Sequence, residues 1–96
     1  MKITTKTGFK IDLDEKILND WRFIEAIAES DSNDEHEKLR GTRTLVNLMF
    51  GKEKDRLIEH LMNKNGGYAP VDAIRAEMES VLTKYNALKN SQSSQA

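Results

Sequence analysis

Apolar and polar positions alternate at two periods along this chain. In KITTKTGFKIDL, Phe9, Ile11 and Leu13 alternate with Lys10 and Asp12, and Ile3 continues the pattern upstream. A period of two is that of a half-buried strand. Thr7-Gly8 interrupts it where a turn is required, so residues 2 to 13 are predicted to form a small hairpin. A lone hairpin is marginal in water, so this one must lean on a helix or on another chain. From Asp14 onward the helical period takes over. A first helix is predicted from Asp14 to Glu29, ended by SDSNDE, whose residues prefer caps and turns. A second spans roughly Glu35 to Phe50, with Leu39, Leu45, Val46, Met49 and Phe50 on one side, and Gly51 closes it. A third, roughly Glu53 to Asn63, carries Leu57, Ile58, Leu61 and Met62 and ends at NKNGG. The fourth begins with Pro70 in its first turn. Its Val71, Ile74, Met78, Val81, Leu82, Tyr85 and Leu88 fall in an arc of about 120° at 100° per residue.

The expected fold is therefore mainly α, with about four helices and a small N-terminal hairpin in a single domain over residues 1 to 90. NSQSSQA has nothing to bury, so residues 91 to 96 are expected to be a disordered tail.

The first helix is the anomaly. Its phase puts Ile17, Trp21, Ile24 and Ala28 on one stripe, which Leu18 and Ile27 widen. Phe23 then falls outside, among Lys16, Asn19 and Asp20. A core-facing helix needs an apolar stripe only a little wider than about 100°. Phe23 is therefore surplus, and Leu48 is a smaller misfit on the second helix. Aromatic side chains are enriched at interface centres. Phe23, Trp21 and Leu48 are accordingly the candidate partner-binding residues, although Trp21, in mid-stripe, also reads as core, and Phe23 also reads as packed under the hairpin or the SDSNDE loop.

Composition narrows the chemistry. Ninety-six residues suffice for one domain, and the absence of cysteine excludes disulfides and thiol chemistry. No apolar run approaches the roughly 20 residues of a membrane span, and MKITTKTGFKIDL lacks the apolar stretch of a signal peptide. A cytoplasmic protein with no membrane partner is expected. His36 and His60 lie far apart with no HxxxH spacing, and DSNDEHEKLRGT lacks the glycine and final glutamate of a calcium loop. No metal site and no cofactor are expected. None of the sixteen acidic residues reads as a carboxylate in apolar surroundings, no GxSxG elbow occurs, and Gly66-Gly67 is followed by Tyr68-Ala69-Pro70 rather than Lys-Ser/Thr. No enzymatic activity is expected.

Net charge is −1, but residues 1 to 37 hold ten acids and five bases, and the remainder six acids and ten bases. Opposed charge on the two halves favours head-to-tail association of copies. KLRGTRTLVNLMFGKEKDR is basic enough to suggest a helix-turn-helix, but Glu53 and Asp55 alternate with Lys52, Lys54 and Arg56 and weaken the field that duplex binding needs. No nucleic-acid partner is expected, and a small prophage DNA-binding regulator is the alternative reading.

The order of these features resembles the tail assembly chaperones of long-tailed, siphovirus-type bacteriophages and prophages of Gram-positive bacteria. TKTGFKIDLDEKILNDWRFIEAIAE opens the likeness with Asp20-Trp21. LVNLMFGKEKDRLIEHLMNKNGGYAPVDAIRAEMESVL continues it, with the helix from Leu48 to Leu61 and the turn from Asn65 to Val71. The likeness covers about residues 3 to 90 and is a pattern of the whole chain rather than one sharp motif. It departs in a second glycine and in Tyr68-Ala69 before Pro70.

The resemblance implies a non-catalytic protein that binds the tape measure protein and keeps it soluble. It implies self-association, the host cytoplasm as the place of action, and absence from the mature virion. It also implies contact with tail tube protein through a longer form made by programmed −1 frameshifting. Leu88-Lys89-Asn90 is compatible with the codons TTA AAA AAC, which contain a slippery heptamer.

Overall fold

The computed structural model describes the backbone of residues 1–93 and the side chains of residues 1–90. It is mainly helical, with a two-stranded antiparallel sheet at its N-terminal end. Strand β1 (Lys2–Thr4) pairs with β2 (Lys10–Asp12) so that Ile3 lies opposite Ile11. The period-two reading holds residue by residue: Ile3, Phe9, Ile11 and Leu13 are all buried. The turn is closed by Gly8 N–H donating to the Thr5 carbonyl (3.0 Å) and Thr5 N–H donating to the Phe9 carbonyl (2.8 Å).

The predicted first helix is broken in two. Glu15–Asn19 forms a 3-10 turn, capped by the Asp14 side chain, which accepts from Lys16 N–H. Asp20 is extended (φ −86°, ψ 133°), and helix α1 covers only Trp21–Ser30. The cause is local. The Asp20 carboxylate accepts from Arg22 N–H at 2.8 Å and so starts a new helix rather than continuing the old turn. Ile17 and Leu18 therefore do not share a phase with Trp21.

Helix α2 (Glu35–Phe50) is capped by Asp34, which accepts from Glu37 N–H at 3.0 Å. It runs without interruption through a 3-10 turn, Gly51–Glu53, into α3 (Lys54–Lys64). The four helices expected thus resolve into three separate helical runs, α1, the bent rod α2–α3, and α4 (Val71–Ser93). Gly51 makes the bend, with φ 49° and ψ −122°, a backbone geometry that a Cβ resists. At the end of α3, Gly67 N–H donates to the Met62 carbonyl at 2.8 Å, a Schellman-type closure. Pro70 stands just outside α4, where its carbonyl accepts from Ile74 N–H (3.1 Å). α4 continues past residue 90 to Ser93, so residues 91 to 93 of the expected tail are helical, and 94 to 96 lie outside the described residues.

One core joins these elements. Leu57, Leu61, Val81 and Leu13 are the most completely enclosed apolar side chains, with Leu45, Val46, Met49 and Phe50 from α2 around them. The closest approach is between α1 and α2. An ideal Cβ at Gly41 would lie 2.4 Å from the Ser30 nitrogen and 2.9 Å from the Ala26 carbonyl oxygen. Glycine at this position lets the two backbones meet. Leu39, expected on the core side of α2, is 48 % exposed.

Candidate partner-binding surface

Phe23 is not surplus. It is 3 % exposed, and with Ala26, Ile27 and Ser30 it forms the i, i+3, i+4, i+7 face that α1 turns toward α2. Of the two sequence readings of Phe23, partner surface and core, the structure has the core one, and the break at Asp20 frees α1 to take the phase that buries it. Trp21 moves the other way. Two residues from Phe23, and so about 200° round the helix at 100° per residue, it is 71 % exposed. Ile24 (46 % exposed) and Ala28 lie with it on the outer side. The stripe Trp21–Ile24–Ala28 exists, but it faces away from the core. Leu48 is half-buried in a shallow recess with Arg22, Glu25 and Glu29, on the other flank of α1. The three candidates therefore do not converge on one surface.

A second feature was not anticipated. Helices α1 and α4 both pack on α2, and a furrow of about 570 Å³ lies between them. α2 contributes its floor with Thr42 and Leu45, α1 one wall with Ile27, and α4 the other with Arg75, Met78, Leu82 and Asn86. Ile24 stands about 60° round α1 from Ile27, so the exposed strip continues from the furrow wall onto the outer face of α1. At the far end, Lys89 pairs with Glu15 at 3.6 Å and ties the end of α4 to the turn before α1.

Arg75 is the only guanidinium in the furrow. Its Nη2 donates to the Thr42 hydroxyl at 3.1 Å. Its Nε is enclosed without an acceptor, and no carboxylate of the described residues lies within ion-pair distance of it. The Thr42 hydroxyl donates in turn to the Lys38 carbonyl (2.9 Å).

The hairpin is fastened to another face of α4, beside an open recess of about 560 Å³ lined by Ile3, Ile11 and Arg56. Thr7 in the hairpin turn donates to Glu77 Oε1 of α4 at 2.6 Å and lies 2.9 Å from His60 Nε2 of α3. A hydroxyl has one hydrogen, and Thr7 gives it to the carboxylate, so His60 Nε2 carries the hydrogen of the second bond. Lys6 N–H donates to the Ser80 hydroxyl (2.9 Å), which adds a second tie between the hairpin and α4. The Phe9 ring lies 5.3 Å from the His60 ring and 6.1 Å from Phe50, with the Arg56 guanidinium 4.3 Å above it. Glu77 is 1 % exposed, and its Oε2 has no partner.

Glu77 also corrects the reading that no carboxylate sits in apolar surroundings. Ala73, Ile74 and Val81 flank it at helical spacing, a signal present in the sequence. The arrangement is a structural clasp.

Among the described residues, no group of three or more His, Asp or Glu side chains is placed to hold a metal ion. No described helix is long and apolar enough to cross a membrane. Comparison with protein-family models, with curated proteins and with solved structures finds no match to this chain.

Proposed function

We propose that this chain is a tail assembly chaperone of a siphovirus-type phage or prophage, which binds the tape measure protein and keeps it soluble until tail tube subunits enclose it. The observation that carries the reading is the pair of large apolar side chains, Trp21 and Ile24, exposed on a helix whose other face is already buried. A tape measure protein is a long helix-rich rod with apolar faces, prone to aggregate while uncovered. A small protein with a spare apolar helix face suits such a rod by side-on helix contacts, and many weak contacts along the rod add by avidity. The whole-chain resemblance supplies the rest of the proposal. The chain acts in the host cytoplasm, self-associates, reaches tail tube protein through a longer frameshifted form, and is absent from the mature virion. It uses no cofactor and catalyses no reaction.

The test is co-expression with the tape measure protein from the same genome. The chain should hold that protein in the soluble fraction and co-elute with it. A Trp21→Asp, Ile24→Asp double variant should remain folded by circular dichroism and lose both effects. A tape measure protein that aggregates equally with and without the chain overturns the reading. Tight, salt-sensitive binding to duplex DNA from the same genome would instead give the regulator.

A further inference from the structure

We infer that the furrow between α1 and α4 seats one helix of the partner protein, and that this helix presents a carboxylate to Arg75. The inference rests on the tape measure reading and adds the place and chemistry of the contact. The furrow is long enough to hold several turns of helix. α4 lines it from Arg75 to Asn86, twelve residues, a rise of about 16 Å at 1.5 Å per residue, which is three turns. Its two walls are helices resting on a third, so an inserted helix would meet side-chain ridges on both sides.

The lining sets the chemistry. Ile27, Leu45, Met78 and Leu82 supply its apolar lining, Arg75, Lys38, Asp31 and Glu79 its charged groups, and the strip through Ile24 to Trp21 extends the apolar surface outward. Within this setting Arg75 is undercompensated. A guanidinium offers five N–H donors, and here a single neutral hydroxyl is its only partner among the described side chains. Glu79, one turn further along α4, and Asp31, just beyond α1, line the same furrow, but neither comes within ion-pair distance of it. A partly buried charge without a counter-ion is costly, and a matching carboxylate from outside relieves that cost with two parallel hydrogen bonds. A wholly apolar or basic helix would leave Arg75 uncompensated, whereas an acidic residue flanked by apolar ones three or four positions away satisfies both furrow and cation.

The test titrates the full chain with overlapping segments of the tape measure protein from the same genome. The wild-type chain should bind a segment with this acidic–apolar pattern. Arg75→Glu, checked for folding by thermal melting, should weaken that binding by about tenfold or more. Changing the segment's acidic residue to lysine should weaken binding to the wild-type chain and restore it to Arg75→Glu. That restoration is a readout a merely structural role for Arg75 would not produce. If Arg75→Glu does not fold, Arg75→Met serves in its place and should bind the acidic segment about as poorly.

Unchanged affinity in a folded Arg75 variant, or no rescue by the reversed segment, overturns the furrow assignment while leaving the tape measure reading standing. Binding of no segment by the wild-type chain overturns both. Self-association abolished by Arg75→Glu would give the furrow to a second copy and overturn the assignment to a partner helix.

Discussion

The hairpin end and the α1–α4 side of this molecule handle apolar surface in opposite ways. At the hairpin, Ile3, Phe9, Ile11 and Leu13 are all enclosed, and hydrogen bonds from Thr7 and Lys6 fasten the turn to α3 and α4. On the α1–α4 side, one face of α1 is sealed by Phe23 while the other displays Trp21 and Ile24, and a furrow stays open beside it. At the hairpin the four large apolar side chains have found their partners within the chain. The other side leaves apolar area in water at a cost of roughly 25 cal/mol per Å², which is compensated only when something covers it. The contrast also separates structural residues from candidate binding residues two positions apart in one helix.

Substitutions on the two faces of α1 test that separation most strongly. Phe23→Ala should destabilise the fold by about 3–5 kcal/mol, read by denaturant unfolding, because it empties a core site. Native stability in that variant would return Phe23 to the surface and remove the contrast. Gly41→Ala comes next. Its Cβ would collide with the backbone of α1, at a cost of about 1–3 kcal/mol, offset in part by the better helix propensity of alanine.

At the hairpin, Thr7→Val should cost about 1–3 kcal/mol, since it leaves His60 and Glu77 Oε1 without their shared partner. Amide exchange should then quicken in β1 and β2 before it does in α2. Trp21→Ala should change stability by no more than about 0.5 kcal/mol, the ordinary range for a surface site, while weakening tape measure binding.

The smallest effect is a pH dependence at the start of α1. The side-chain hydrogen bond from Arg22, and then its backbone N–H, lower the Asp20 carboxyl to about 2 from 3.8. A depressed carboxylate stabilises the fold above its unfolded value and loses that contribution as pH falls from about 3.8 toward 2. Because the Asp20 carboxylate caps only α1, acid should fray that helix locally, seen as lost helical signal from Trp21–Ser30, with α4 unaffected. Asp20→Asn should abolish that acid step.

What could be read from the sequence follows from which interactions are local. The hairpin, α2, α3 and the start of α4 were legible because strand period, caps and glycine positions act over a few residues. The phase of α1 was not, because two stripes of similar apolar content exist in it. Ile17–Trp21–Ile24–Ala28 is the longer, but Phe23–Ala26–Ile27–Ser30 fits the gap that Gly41 opens on α2. That choice is made by a contact with a residue fifteen positions on from Ala26. The signal within reach was Asp20 itself, a good cap residue standing before an aromatic run. The furrow was illegible for the same reason, since it exists only once α1 and α4 both lie on α2. Glu77 was legible in principle from its apolar helix neighbours, but its bond to Thr7 spans seventy residues of chain.

That span has a consequence for how the protein comes to be made. The hairpin leaves the ribosome well before its seats on α4, Glu77 and Ser80, are synthesised. Until then Phe9 and Ile11 have only α2 and α3 to cover them, and the long closing loop makes the final docking the slow, non-local step. A nascent chain halted before α4 is complete would hold an unfastened N-terminal ribbon with bare apolar edges, the kind of species that aggregates or recruits a cellular holdase.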